Sequence, residues 1–259
     1  MHLEKVTPDS IRSMKGRRPI AALTAFDFLS CYFLDRAEIP LILVGDSLGM
    51  VILGYEDTTR VTIAQMEHHL RASARANPRG LLVADLPYQS YATAAAALDN
   101  SQRLMRAGAE AVKAEGGRSI LPQIQAITGA GIPFLGHLGM LPQSIGIEKK
   151  YRIKGNAPNE AKNLKADATA LAESGAFGIV LELVAPAVAK AITNEIPVPT
   201  IGIASGPHCD GQILVTTDLW GTTPGRIPKH INPTRDIHDA MLTTIRSWRD
   251  SLQCPATTP

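Results

Sequence analysis

The sequence predicts an α/β protein closing into a single (β/α)8 TIM barrel. Three observations point there. Short apolar runs of four to six residues recur along the chain, mixed alanine-rich segments of helical periodicity lie between them, and eight such runs fit within the 259 residues. Strands this short and not strictly alternating suit a parallel sheet covered on both faces. Their alternation with helices implies right-handed βα crossovers. Eight units favour closure into a barrel, with an open doubly wound sheet as the alternative.

In chain order the strand candidates are IAAL at 20–23, then 41–44, 81–84, 111–114, 133–136, 178–183, 200–204 and 212–215. Helical spacing marks 63–76 opening after Thr62, 92–107 ended by Gly108, 160–173 ended by Gly175, and 237–252. Polar caps before a helix and glycine after it are the expected boundary signals. The interval from Ala204 to Gln212 is too short for a full helix, so SGPHCDG is expected as a loop or one turn. No repeat or linker interrupts the pattern. Residues 1–259 therefore read as one barrel domain with a short N-terminal lead and a frayed tail at 254–259.

Composition narrows the class. With 45% hydrophobic and 19% charged residues, bulk disorder is excluded. Lys plus Arg number 26 against 24 Asp plus Glu, a net charge of +2, so no basic excess argues for a nucleic-acid partner. Cys31, Cys209 and Cys254 are odd in number and far apart, which fits reduced thiols in a cytoplasmic protein better than a disulfide scaffold. The first twenty residues have no signal-peptide apolar core, and no apolar stretch approaches the ~18 residues of a membrane span. A cytoplasmic protein acting on small molecules is expected.

The acids carry the strongest signal. Asp46 follows LILVG, Asp85 follows LLVA, Glu115 follows AVKA, and Glu182 lies near the end of the sixth strand. Acidic side chains are seldom buried unless paired or metal-bound, yet four of them fall at C-terminal strand ends, where barrel enzymes keep their chemistry. Each alone could be a helix N-cap or first-turn carboxylate. Together, with Asp46, Asp85 and Glu115 on consecutive strands, they suit a hard cation, Mg²⁺ above all. Lys113 alternates with Glu115 and so faces the same way. It requires an anion, either a substrate carboxylate or Glu115 itself; a Schiff-base role is the less economical reading.

Ser47, in GDSLG, is a candidate ligand donor or a simple turn cap. His137 and a loop from 138 to 158 follow the fifth strand, and the loop carries Lys149, Lys150, Arg152 and Lys154 around Tyr151. That charge run is a solvated face or an attractant for an acidic cosubstrate. Cys209 reads as a packing or loop residue. A cation chelated by an α-keto acid would stabilise an enolate, and Glu182, flanked by Val180, Leu181 and Leu183, is the candidate base.

The ordered strings LTAFDFLSCYFLDRAEIPLILVGDSLGMVILGYEDT, LLVADLPYQSY, VKAEGG, PFLGHLGMLPQS, LEL and CDGQILVTTDLWG resemble the ketopantoate hydroxymethyltransferase family over about residues 20–226. The resemblance implies a Mg²⁺-binding barrel of the phosphoenolpyruvate/pyruvate type. It also implies hydroxymethyl transfer from 5,10-methylenetetrahydrofolate to 3-methyl-2-oxobutanoate, giving 2-dehydropantoate for pantothenate biosynthesis. By position, Asp46, Asp85 and Glu115 match metal-side residues, with Asp46 and Asp85 also facing substrate. Ser47, Lys113 and His137 match substrate-binding positions, and Glu182 the proton acceptor. A homo-oligomer, commonly a decamer, is implied too. Arg60, Leu141, Asn156 and the pair Ala204–Ser205 depart from the usual pattern, but none removes a proposed ligand or the base. The rival readings are a related metal-dependent carbon–carbon lyase and a catalytically silent binding or scaffold protein.

Overall fold

The computed structural model describes residues 4–148, 150–225, 228, 231 and 237–252. Lys149, Arg226, Cys254 and the expected tail at 254–259 lie outside them. The chain divides into two compact units, 1–214 and 215–259.

The first unit holds eight strands: β1 Ile20–Thr24, β2 Leu41–Val44, β3 Leu81–Asp85, β4 Ala111–Glu115, β5 Phe134–Gly139, β6 Gly178–Glu182, β7 Thr200–Ile203 and β8 Gly211–Leu214. Each pairs in parallel with the next, and β8 pairs with β1 at Ile20↔Gly211, so the sheet closes into a barrel in sequence order. Its helices are α1 Pro8–Ser13, α2 Phe28–Arg36, α3 Leu48–Val51, α4 Ile63–Ala74, α5 Ala94–Ala107, α6 Leu121–Gly129, α7 Ile145–Glu148, α8 Pro158–Glu173 and α9 Pro186–Glu195. The second unit contributes α10 Thr216–Trp220 and α11 Ile237–Ser251. As expected, no helix lies between β7 and β8.

Local chemistry sets the boundaries. Thr62 accepts from Gln65 N while Gln65 reaches back to the Thr62 main chain, a reciprocal cap that starts α4. Thr93 caps α5, and Gly108 ends it. α8 begins two residues before its expected start because Pro158 suits the first helical turn, where its missing N–H is no loss. Asp27 and Ser30 cap α2, which was not among the expected helices, and α6 and α9 likewise fill places between strands that the sequence pattern left unassigned.

The barrel interior follows a two-residue period. Leu41 and Leu43, Leu81 and Val83, Ala111, Leu135, Val180, Ile201 and Ile213 pack together, joined by Ile11 and Met14 from α1 and its cap. Continuing the period toward the C-terminal end turns the inward positions polar: Asp85 on β3, Lys113 and Glu115 on β4, His137 on β5 and Glu182 on β6. The apolar half of the barrel is a packed core, and the polar half is the rim.

β5 corrects one expectation. It runs through Gly136 to Gly139, so His137 lies on the strand and not on the loop after it. Gly136, the last residue of the expected strand, lies inside β5, where its role is close packing, since a Cβ there would meet Leu171 Cδ1 at 2.7 Å.

Candidate active site

The rim gathers its residues through strand register. Asp85 is paired with Lys113, Glu115 with His137, and Gly139 with Glu182 across β3 to β6. Asp46, just past β2, joins them because its main-chain N–H donates to Asp85 Oδ2 at 3.1 Å. Asp46, Asp85, Lys113, Glu115 and His137 are all buried, and the Glu182 side chain is 17% exposed. The residues expected at the site therefore meet at one end of the barrel.

Lys113 has a partner that the sequence reading did not name: Nζ lies 2.6 Å from Asp85 Oδ1, on the neighbouring strand. The sequence shows which residues share a strand face, but cross-strand partners depend on register, which it does not display. Nζ also lies 3.2 Å from His137 Nδ1. Burial works against the lysine charge, yet Asp85, Glu115 and Asp46 together raise its pKa above the ordinary value. Burial and then the Lys113 charge hold the His137 imidazole well below its usual range, so it is neutral. Nδ1 then accepts from the ammonium, which places the ring proton on Nε2, 3.3 Å from Glu182 Oε2 though not aligned as a hydrogen bond.

The carboxylates carry more charge than one lysine balances. Burial and the neighbouring Asp85 push Asp46 up to about 7. Burial and then the Asp46 charge raise Glu115 well above the usual range. Among the described residues no three His, Cys, Asp or Glu side chains converge tightly enough to enclose an ion. The donor set nevertheless suits a hard divalent cation: it is all oxygen, it is buried, and Asp85 Oδ1 has a short ion pair but no hydrogen bond in good geometry.

Ser47 opens α3, and its hydroxyl makes no cap hydrogen bond. In the loop after β5 two of the charged residues are engaged: Arg152 pairs with Glu160 at 2.7 Å, and Lys154 is buried, its main chain bridged to Leu183 and Ala185. Burial raises the Cys209 thiol, which fits its expected packing role.

The backbone around Glu182 is tightly fixed. Leu183 takes a positive φ of 49°, and Ser205 Oγ donates to Leu181 O at 2.7 Å while accepting from Val184 N at 2.9 Å. The sequence reading missed Gln143 and Tyr91. Gln143 is buried between Asp46 and Glu115, and Tyr91 bonds to it. Their local signal was thin: a lone glutamine after a proline, and a tyrosine in a connecting loop.

A closed parallel barrel with a buried acid, lysine and histidine constellation at its C-terminal rim defines an α/β-barrel enzyme. The sequence profile described as ketopantoate hydroxymethyltransferase matches residues 5–255. The 3-methyl-2-oxobutanoate hydroxymethyltransferase of Moorella thermoacetica is 45% identical over 252 residues, covering 96% of this chain and 94% of that protein. The protein of the same name from Aeropyrum pernix is 46% identical over 242 residues, covering 92% and 88%. This chain belongs to the ketopantoate hydroxymethyltransferase family. Among solved structures, oxaloacetate acetylhydrolase in complex with oxalate matches with a TM-score of 0.66 at 14% identity, covering 99% of this chain and 93% of that one. Phosphonopyruvate hydrolase in complex with oxalate and Mg²⁺ matches with a TM-score of 0.62 at 13% identity, covering 94% and 98%. At these identities the likeness is one of fold.

Proposed function

We propose that the rim transfers a hydroxymethyl group to 3-methyl-2-oxobutanoate through an enolate, with Glu182 as the base and 5,10-methylenetetrahydrofolate as the donor. The enzyme class follows from the family: the chain is a hydroxymethyltransferase of pantothenate biosynthesis. The observation that carries the mechanism is the buried surplus of carboxylates beside a single lysine.

Asp46, Asp85 and Glu115 would hold Mg²⁺. Once bound, the ion would polarise the keto group and stabilise negative charge on its oxygen. Lys113, fixed by Asp85 and His137, has a third N–H direction for a substrate oxygen. Ser47, next to Asp46, offers a hydroxyl not used as a helix cap, and neutral His137 holds Lys113 on one side and faces Glu182 on the other. Glu182 takes the proton from C3, and the resulting carbanion forms a carbon–carbon bond to the methylene carbon of the donor. One carbon–nitrogen bond of the methylene bridge breaks as the carbon–carbon bond forms, and that nitrogen takes the proton held by Glu182. One water then replaces the second nitrogen, supplying the hydroxyl of 2-dehydropantoate and the proton with which tetrahydrofolate leaves.

Assembly as a homo-oligomer, a decamer by resemblance, belongs to the same proposal. It is supported by the exposed apolar side chains Phe28, Leu29, Tyr32 and Phe33 on α2. A cytoplasmic location fits the rest, and among the described residues no helix is long and apolar enough to cross a membrane.

Chelation followed by metal replacement tests the site. EDTA should abolish formation of 2-dehydropantoate and added Mg²⁺ should restore it. Asp46→Asn and Asp85→Asn should each weaken metal and ketoacid binding together. Full turnover in EDTA, or ketoacid binding untouched in both variants, contradicts the assignment.

A further inference from the structure

The mechanism above uses the carboxylates but not the amide set between them. Gln143 lies in a single helical turn, Pro142–Ser144, directly after β5, and is 4% exposed. Its Nε2 donates to Asp46 Oδ2 at 2.8 Å and to Leu86 O at 3.0 Å, and its main-chain N–H donates to Glu115 Oε2 at 3.0 Å. Its Oε1 accepts from the Tyr91 hydroxyl at 2.6 Å, and that hydroxyl also lies 3.2 Å from Glu115 O. One residue thus ties together the ends of β2, β3 and β4, with every polar atom of its side chain in use.

We infer that Gln143 is a positioning residue that sets the spacing of Asp46 and Glu115 for a divalent cation, and that Tyr91 sets the orientation of its amide. This rests on the metal reading proposed above. The direction of the amide matters. Flipped, it would bring Oε1 against Leu86 O, two acceptors with no proton between them, and would take the amide donor away from Asp46 Oδ2. Tyr91 favours the observed orientation, because its hydroxyl lies closer to Oε1, at 2.6 Å, than to its other acceptor, Glu115 O, at 3.2 Å. A group that orients first ligands in this way typically changes metal affinity more than it changes chemistry once the metal is bound.

Mn²⁺ binding, followed by the loss of the free-ion EPR signal on the full chain, tests the inference. Gln143→Ala should bind Mn²⁺ about 10–100-fold more weakly than wild type. Tyr91→Phe should show a smaller loss, and the double variant should match Gln143→Ala, because Tyr91 acts through Gln143. Proton exchange at C3 of the ketoacid should return to within a few-fold of wild type at saturating Mn²⁺ in both single variants. Unchanged Mn²⁺ affinity in Gln143→Ala, or additive losses in the double variant, overturns the inference. If Gln143→Ala does not fold, wild-type affinity in folded Tyr91→Phe overturns it. Failure of wild type itself to bind Mn²⁺ overturns instead the metal reading beneath it.

Discussion

Burial governs the charge state of the rim residues. Asp46 titrates near 7 because burial and Asp85 both disfavour its anion. An unfolded aspartate titrates near ~3.9. The folded value is the higher one, so this group's contribution to stability is complete below the unfolded value and is lost as pH rises through about 7. A divalent cation at the carboxylates would compete with that proton. Saturating Mg²⁺ should therefore raise the thermal unfolding midpoint more at pH 8 than at pH 6. Equal shifts at the two pH values would show that the ion does not sit against Asp46. Lys113 makes a related point about what a residue reveals alone. A lysine between Val112 and Ala114 in AVKAE signals a buried anion, and Asp85 on another strand supplies one.

At the scale of elements, the strands were legible because each apolar run is short and bounded, and β2 was read with its observed bounds, Leu41–Val44. The switch from apolar to acidic at strand ends was legible too, which is how Asp46, Asp85, Glu115 and Glu182 could be singled out. β5 extends past the apolar run to Gly139, because its glycines and His137 interrupt the hydrophobic pattern without ending the strand. Packing against Leu171 explains Gly136, whereas Gly139 has a conformational role: φ is +101° and a Cβ would overlap the Glu182 carbonyl oxygen. Gly139→Ala should lower the unfolding midpoint by roughly 5–10 °C, given about 2–4 °C per kcal/mol for a domain of this size and a strain cost of a few kcal/mol. It should slow C3 proton exchange as well, because Glu182 moves with its carbonyl. An unchanged midpoint would mean that the bend at β5 is not held this way. Gln143 escaped notice because its importance lies in contacts with three different strand ends, which no local pattern encodes.

Across the molecule, the two ends of the barrel do different work. At the N-terminal end Asp210 accepts from Gly16 N at 3.0 Å, Thr200 N at 2.9 Å and Lys15 Nζ at 3.1 Å, while Lys15 also reaches Thr193 O. These bonds tie the chain before β1 to β7 and to the loop leading into β8. They explain why the CDG segment is structural. Asp210→Ala should cost roughly 2–3 kcal/mol of stability, the scale for hydrogen bonds to a charged group whose partners are left unpaired. Denaturant unfolding would measure that loss, while Mn²⁺ affinity and C3 exchange should stay at wild-type values. A loss of metal affinity without a loss of stability would invert this division between the ends.

The central claim is that Glu182 removes the C3 proton at a cation-dependent rim. Deuterium exchange at C3 of 3-methyl-2-oxobutanoate, followed by NMR without the folate donor, tests it most directly. Wild type with Mg²⁺ should exchange, wild type in EDTA should not, and Glu182→Gln with Mg²⁺ should be slower by about 10²–10⁴-fold. Exchange in Glu182→Gln as fast as in wild type would contradict the base assignment, and no exchange in wild type with Mg²⁺ would contradict the enolate mechanism itself.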